Sequence, residues 1–199
     1  MVYHTICKGK EILLNIINEK VGGFVKNKIK VLFVGGPCSG KTTLCKSLSE
    51  KYKTIFIEEY LMNYMIKNNL KSEEVTKDII LYCMEEQANQ ENEIILNKQS
   101  IQFCEGTSLS GISTLYSEEL INIIKIQLKD CKLVFLCNND IPYINTDVRP
   151  NHEIALNCHK AIIKYLKDNN INYILLSGSL EERISKVEKE IDKIKNKGE

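Results

Sequence analysis

At 199 residues, with 27 lysines and arginines against 26 acidic residues and a net charge of +1, the chain is sized for one domain with a real core. That near-neutral balance supplies no general field for a nucleic acid or an anionic membrane, so neither is expected as a partner. No stretch approaches the roughly 20 uncharged apolar residues that cross a bilayer, and the eight cysteines are scattered without a CxxC pair. They read as reduced thiols of a cytoplasmic protein.

Residues 1–28 hold one short amphipathic pattern (Ile12, Leu13, Ile16, Ile17). They are expected to form an N-terminal helical extension that either docks on the domain or serves self-association in a homo-oligomer. Beyond it, five short apolar runs recur: "IKVLFVG" (29–35), "TIFIE" (54–58), "SIQFCE" (100–105), "KLVFLC" (132–137) and "NYILLSG" (172–178). Continuous apolar runs bounded by polar residues fit strands buried on both faces of a parallel sheet. Helix-length segments separate them, among them a long one over 72–98. In 150–168 the set Ile154, Cys158, Ala161, Ile162, Tyr165 and Leu166 keeps one face; in 180–194 Leu180, Ile184, Val187, Ile191 and Ile194 do the same. The alternation predicts an α/β fold, three-layer α/β/α around a five-stranded parallel sheet, with residues 29–199 as one domain.

After the first run comes Gly35-Gly36-Pro37-Cys38-Ser39-Gly40-Lys41-Thr42, a full match to GxxxxGK[ST] between a strand and a helix. Glycines let backbone N–H groups converge on phosphate oxygens at a helix N-terminus, where the dipole favours anions. Residues 35–43, through Thr43, are therefore expected to hold the phosphates of ATP. Lys41 would neutralise charge, and the Thr42 hydroxyl would bind Mg²⁺. A second magnesium contact should lie at another strand end, and Glu105, closing its run, is the candidate.

Three further polar clusters follow or face strand ends, where open α/β sheets bind ligands. They are Glu58-Glu59-Tyr60; Gln87, Gln90 and Glu91 at helical spacing; and the polar segment 138–150, with Asp140, Asp147 and Arg149. A GTPase would read guanine with NKxD after the fourth strand, where this chain has "CNNDIP". A small kinase needs a phosphate cradle, an acceptor pocket with a base, and an arginine lid. All three are here, with the lid at about 138–150. Arginine supplies a planar fork of donors that lysine does not, and Arg149 and Arg183 are the two arginines of the chain.

With these residues the chain resembles the NadR-type ATP-dependent nicotinamide riboside kinases, from about Lys30 to Arg183. The likeness rests on "EEYLMNY" (58–64), Gln87 with Glu91, "EGTSLSG" (105–111), "FLCNNDIPYINTDVRP" (135–150) and "GSLEER" (178–183). Departures are Met62 and Asn63 where the family carries an arginine and an acid, Glu105-Gly106-Thr107 for its acidic triplet, and Tyr143 for its tryptophan. The nucleotidylyltransferase motif HxGH is missing from the sequence. The resemblance implies transfer of a γ-phosphate to a nucleoside-like hydroxyl, nicotinamide riboside first. Arg149 and Arg183 would serve the phosphates. Glu58, Glu59, Tyr60, Tyr64, Gln87, Asp140, Tyr143 and Asp147 would serve the acceptor, with Glu59 or Glu105 as base. The alternatives are a deoxynucleoside or nucleotide kinase, and an ATP-binding regulatory module without catalysis.

Overall fold

The computed structural model describes residues 28–95, 101–106, 108–113, 115–129, 131–144 and 151–197. The N-terminal extension up to residue 27 and the lid residues Asp147 and Arg149 lie outside the described residues. Five strands form one sheet: β1 (Ile29–Val34), β2 (Phe56–Ile57), β3 (Ile101–Glu105), β4 (Cys131–Cys137) and β5 (Ile174–Leu176). Their order is β2-β3-β1-β4-β5 and every pairing is parallel. The apolar runs therefore become strands as expected, with β2 and β5 markedly shorter than their runs and the other three within one residue of theirs.

Burial on both faces explains the runs. From β1, Leu32 and Val34 enter one core with α3 (Lys77–Ile95), α4 (Glu118–Lys129) and α5 (His152–Asp168). Val31 and Phe33 enter the other, with α1 (Lys41–Tyr52) and α6 (Leu180–Lys197). Helices on both faces give the three layers. Phe33 stacks on Phe135 at 5.5 Å and meets Phe103 at 6.1 Å, so three strands share one aromatic seam.

The segment expected as one helix over 72–98 is broken. A single 3₁₀ turn, Ser72–Glu74, precedes α3, and α2 (Tyr60–Lys67) comes before it. The break falls at Val75, and the Thr76 hydroxyl then accepts from the Ile79 N–H at 3.4 Å to start the helix anew. A β-branched pair at the junction and a threonine able to cap favour a restart over continuation. Similarly, Asn151 caps α5 by accepting from the Ile154 N–H at 2.9 Å.

Phe33 is fully buried at the centre of the seam. Phe33→Ala is expected to cost about 3–5 kcal/mol, read as a lower midpoint in urea with little change of slope.

Candidate active site

Parallel pairing opposes Phe33 of β1 to Glu105 of β3, so the loop after β1 emerges beside the end of β3. Gly40 caps α1 in the left-handed conformation (φ 82°), where a Cβ would lie 2.7 Å from Ile141 Cδ1. A side chain there would meet both strain and a clash. Lys41 is buried and folds back over the loop, its ammonium donating to the carbonyls of Gly35 and Gly36, both at 3.0 Å. The exposed Thr42 turns its hydroxyl to Glu105 and donates a hydrogen bond to the carboxylate. Motif and strand-end acid thus meet. Ser39 Oγ closes the loop internally by donating to the Gly36 carbonyl at 2.8 Å.

Glu105 is 5% exposed. Burial pushes its carboxyl above the ordinary 4.5, with smaller upward pushes from Glu59 and Glu58; Lys41 and the Thr42 hydroxyl pull the other way. The donors fit magnesium. A carboxylate and a hydroxyl are both hard oxygen ligands, and Mg²⁺ is commonly held by one or two protein oxygens, with phosphates and waters completing its shell. Among the described residues no group of three or more His, Cys, Asp or Glu gathers to hold a metal unaided.

Glu59 precedes α2 and lies across the turn after β3. Gly106 sits there at φ 63°, and a Cβ on it would meet three Glu59 side-chain atoms at 3.0–3.1 Å. Glycine suits the left-handed backbone, and a side chain there would shift Glu59. Ser110 Oγ donates to Glu59 Oε1 at 3.2 Å. Glu58 accepts from Asn63 Nδ2 at 2.9 Å.

These groups line one hollow of about 1060 Å³, which takes in the glycine loop through Thr43, Glu58, Glu59, Glu105, Ile141 and Arg183. Its size is at the upper end for small-molecule sites, enough for a nucleotide with a second ligand. Ile154, 46% exposed despite its place in the apolar stripe of α5, faces this hollow.

Other expected residues stand elsewhere. Gln87 is 1% exposed and does not line the hollow. Its amide is spent on the backbone beneath, donating to the carbonyls of Glu105 (2.8 Å) and Gly106 (2.9 Å) and accepting from the Tyr60 N–H (3.1 Å). Tyr60 and Tyr64 stack on each other and edge onto Tyr82, away from the hollow's lining. A hydrogen bond with Tyr82 pushes the Tyr60 hydroxyl up to about 12. Tyr143 stacks on His152 at 4.9 Å. Asp140 pairs with Arg183 and accepts from the Gly178 N–H at 2.7 Å. Arg183 itself is 2% exposed, and it donates to the carbonyls of Ser39 (2.7 Å) and Gly178 (3.1 Å). It braces the phosphate loop from behind, although one face of it reaches the hollow's wall.

The sequence reading missed His159. Its Nδ1 accepts from the Gly36 N–H at 3.2 Å. Burial, then the Lys41 charge, hold its pKa below 6.5, which keeps that lone pair available. The signal was a histidine inside the buried stripe between Cys158 and Ile162. Lys30 was missed too, a lysine inside an apolar strand, buried against Glu91. None of the seven described cysteines forms a disulfide, and five of them are buried. No helix among the described residues is long and apolar enough to cross a membrane.

A family model described as an AAA domain matches residues 30–183. The chain belongs to that family. No curated protein matches the sequence at significance. Among solved structures, NadR protein in complex with NAD and AMP-PNP is similar with a TM-score of 0.61 and 18% identity, covering 76% of this chain. This chain spans 45% of that NadR chain. Thymidylate kinase from Candida albicans matches with a TM-score of 0.61 and 16% identity over 85% of this chain and 93% of its own. Deoxyadenosine kinase from M. mycoides gives 0.56 and 9% over 83% and 100%. The shared feature is the three-layer P-loop kinase fold.

Glu105 carries a stability consequence. Its folded pKa lies above its unfolded value, so its contribution to stability falls as pH rises through that interval. Glu105→Gln keeps an acceptor for Thr42 and removes the buried charge. It is expected to raise the thermal midpoint at pH 7, by about 2–4 °C for each kcal/mol gained. The gap from wild type should shrink as pH falls towards 4.5, followed by calorimetry across pH.

Proposed function

We propose that the chain is a Mg·ATP-dependent kinase that phosphorylates a small nucleoside-like alcohol, with nicotinamide riboside as the first acceptor. The observation that carries this reading is the convergence of Lys41, Thr42, Glu105 and Glu59 on one hollow with room for two ligands. A pure nucleotide switch needs the first three; a second carboxylate, held by Ser110 beside the turn after Glu105, is what an acceptor hydroxyl requires.

The roles divide by position. The glycine loop cradles the triphosphate, and Lys41 leaves the loop carbonyls for the β- and γ-oxygens. Thr42 and Glu105 would hold magnesium, which would neutralise phosphate charge there. Glu59 accepts the acceptor's hydroxyl proton as that oxygen bonds to the γ-phosphorus and the bridging oxygen leaves with ADP. Positioning and charge neutralisation supply most of the rate in such transfers.

Charge favours an unphosphorylated or cationic acceptor. Among the described residues the hollow carries Glu58, Glu59, Glu73 and Glu105 against Lys41 and Arg183. Both cations are already engaged, Lys41 by the loop and Arg183 by Asp140. A pyridinium nucleoside meets attraction there, and a nucleoside monophosphate meets repulsion. The wall beside those acids is apolar, with Leu61, Met62, Met65, Val75 and Ile80 to receive a base.

ATP consumption measured with nicotinamide riboside, thymidine, deoxycytidine and deoxynucleoside monophosphates tests the assignment. Nicotinamide riboside is expected to show the highest kcat/KM, and Glu59→Gln to lower kcat by about 10²–10⁴-fold. A preference for a monophosphate would refute the acceptor assignment. Turnover of none of them would refute the kinase reading.

A further inference from the structure

The side-chain amide of Gln87 sits at the meeting point of two turns that the sequence places far apart. Its Oε1 accepts from the Tyr60 N–H at 3.1 Å, the peptide that follows Glu59. Its Nε2 donates to the carbonyls of Glu105 at 2.8 Å and Gly106 at 2.9 Å, with a longer contact of 3.3 Å to Glu91 Oε1. One buried amide therefore grips the backbone at both carboxylates of the hollow.

Beneath it lies a polar assembly that the apolar sheet does not need. Glu91, one helical turn further along α3, is fully buried and paired with Lys30 of β1. Gln127 Nε2 donates to the same carboxylate at 3.2 Å. The Oε1 of Gln127 accepts from Ser108, from its N–H at 3.1 Å and its hydroxyl at 2.7 Å, just beyond the Gly106 turn. Gln102 Nε2 donates to the Glu91 carbonyl at 3.0 Å. A buried ion pair replaced by well-packed apolar residues is often no less stable. Stability alone is a poor reason for burying Lys30 and Glu91 here. What the assembly delivers is direction: apart from a bond of 3.3 Å from Lys30 to the Gln127 carbonyl, its bonds end on Gln87, on the turn after β3, or on the helix that carries Gln87.

We propose that Gln87 is a positioning residue for phosphoryl transfer, whose amide sets the spacing between the Glu59 turn and the Glu105 turn while the Lys30–Glu91 pair holds the amide in place. This rests on the kinase reading above. Gln87 touches neither ligand; it acts through the two backbones that carry Glu59 and Glu105. A misplacement of roughly 1 Å at reacting groups costs about 100-fold in rate, which is the scale on which such a brace matters.

Two variants separate this role from a merely structural one. Gln87→Met keeps the shape and removes all four bonds. The pair Lys30→Met with Glu91→Leu removes the support but keeps the Gln87 side chain itself. Gln87→Met is expected to lower kcat about 100-fold, with the Kd for ATP held within about twofold. The double variant is expected to unfold at the same or a higher urea concentration than wild type while kcat falls about tenfold. Backbone amide exchange by NMR reads the brace without turnover. The Tyr60 amide, protected in wild type, should exchange about tenfold faster in Gln87→Met while the β1 amides keep their protection.

Unchanged Tyr60 protection in Gln87→Met would overturn the proposal, as would kcat losses that merely track lost stability in both variants. A wild-type chain inactive on every acceptor would overturn the kinase reading and the positioning role of Gln87 in it, while the exchange measurement would still show whether the amide holds the Glu59 turn.

Discussion

The hydrogen bond from Thr42 to Glu105 spans 63 positions of sequence, and the rest of the site is arranged around it. It exists because β1 and β3 pair in parallel with Phe33 opposite Glu105, and the ladder runs on through the Gly106 N–H to the Phe33 carbonyl at 3.2 Å. Strand side chains alternate between faces, so a slip of one residue would send Glu105 to the wrong side of the sheet. Packing of Phe33, Phe103 and Phe135 beneath prevents that slip. The core thus decides where the carboxylate stands. The carboxylate in turn works against the core: it is desolvated, its pKa is raised, and its charged form is the costlier one to bury.

The phosphate loop is fixed from three sides by groups of different chemistry. Lys41 holds the carbonyls of Gly35 and Gly36 from the hollow, neutral His159 takes the Gly36 N–H from α5, and Arg183 grips the Ser39 carbonyl from α6. Arg183 also ties in the end of β4 through Asp140 and the turn after β5 through Gly178. A lysine's compact ammonium could not reach all of those acceptors in one plane, which accounts for an arginine in a chain otherwise furnished with lysine. Backbone N–H groups held in place before a nucleotide arrives need no reorganisation to receive it.

Local pattern explains what was legible in the sequence. The glycine loop, its lysine and threonine, and the five apolar runs are short-range signals, and the sheet with three layers follows from them. Glu105 was legible because a strand end has a known direction. What the sequence could not give was which way a helical side chain faces. Gln87 and Glu91 share a face at i and i+4, but that face turns beneath the site, where Lys30 draws it. Tyr60 and Tyr64 have the same spacing and find Tyr82, 18 residues beyond Tyr64, as their partner. Asp140 reads as a loop acid until Arg183, 43 positions on, is folded against it. Each difference comes from a contact distant in sequence, and a single sequence carries no record of such contacts.

On the proposed reading, Gly106 ties the chemistry of the acceptor side to this framework. A side chain there would push Glu59 aside, and an arginine would also place a cation beside Glu58 and Glu59. Two unit charges about 4 Å apart interact by about 4 kcal/mol at an effective dielectric near 20. On the proposed reading, the glycine therefore acts on selection as well as on geometry. It lets Glu59 lie flat over the turn that Gln87 grips, and it leaves Glu58 and Glu59 without a neutralising partner among the described cations. An acceptor that brings its own positive charge supplies that partner, and one that brings a phosphate adds to the repulsion. On that reading, the backbone conformation at one residue, φ 63°, links strand register, placement of the proposed base and the charge of the alcohol that would fit beside it.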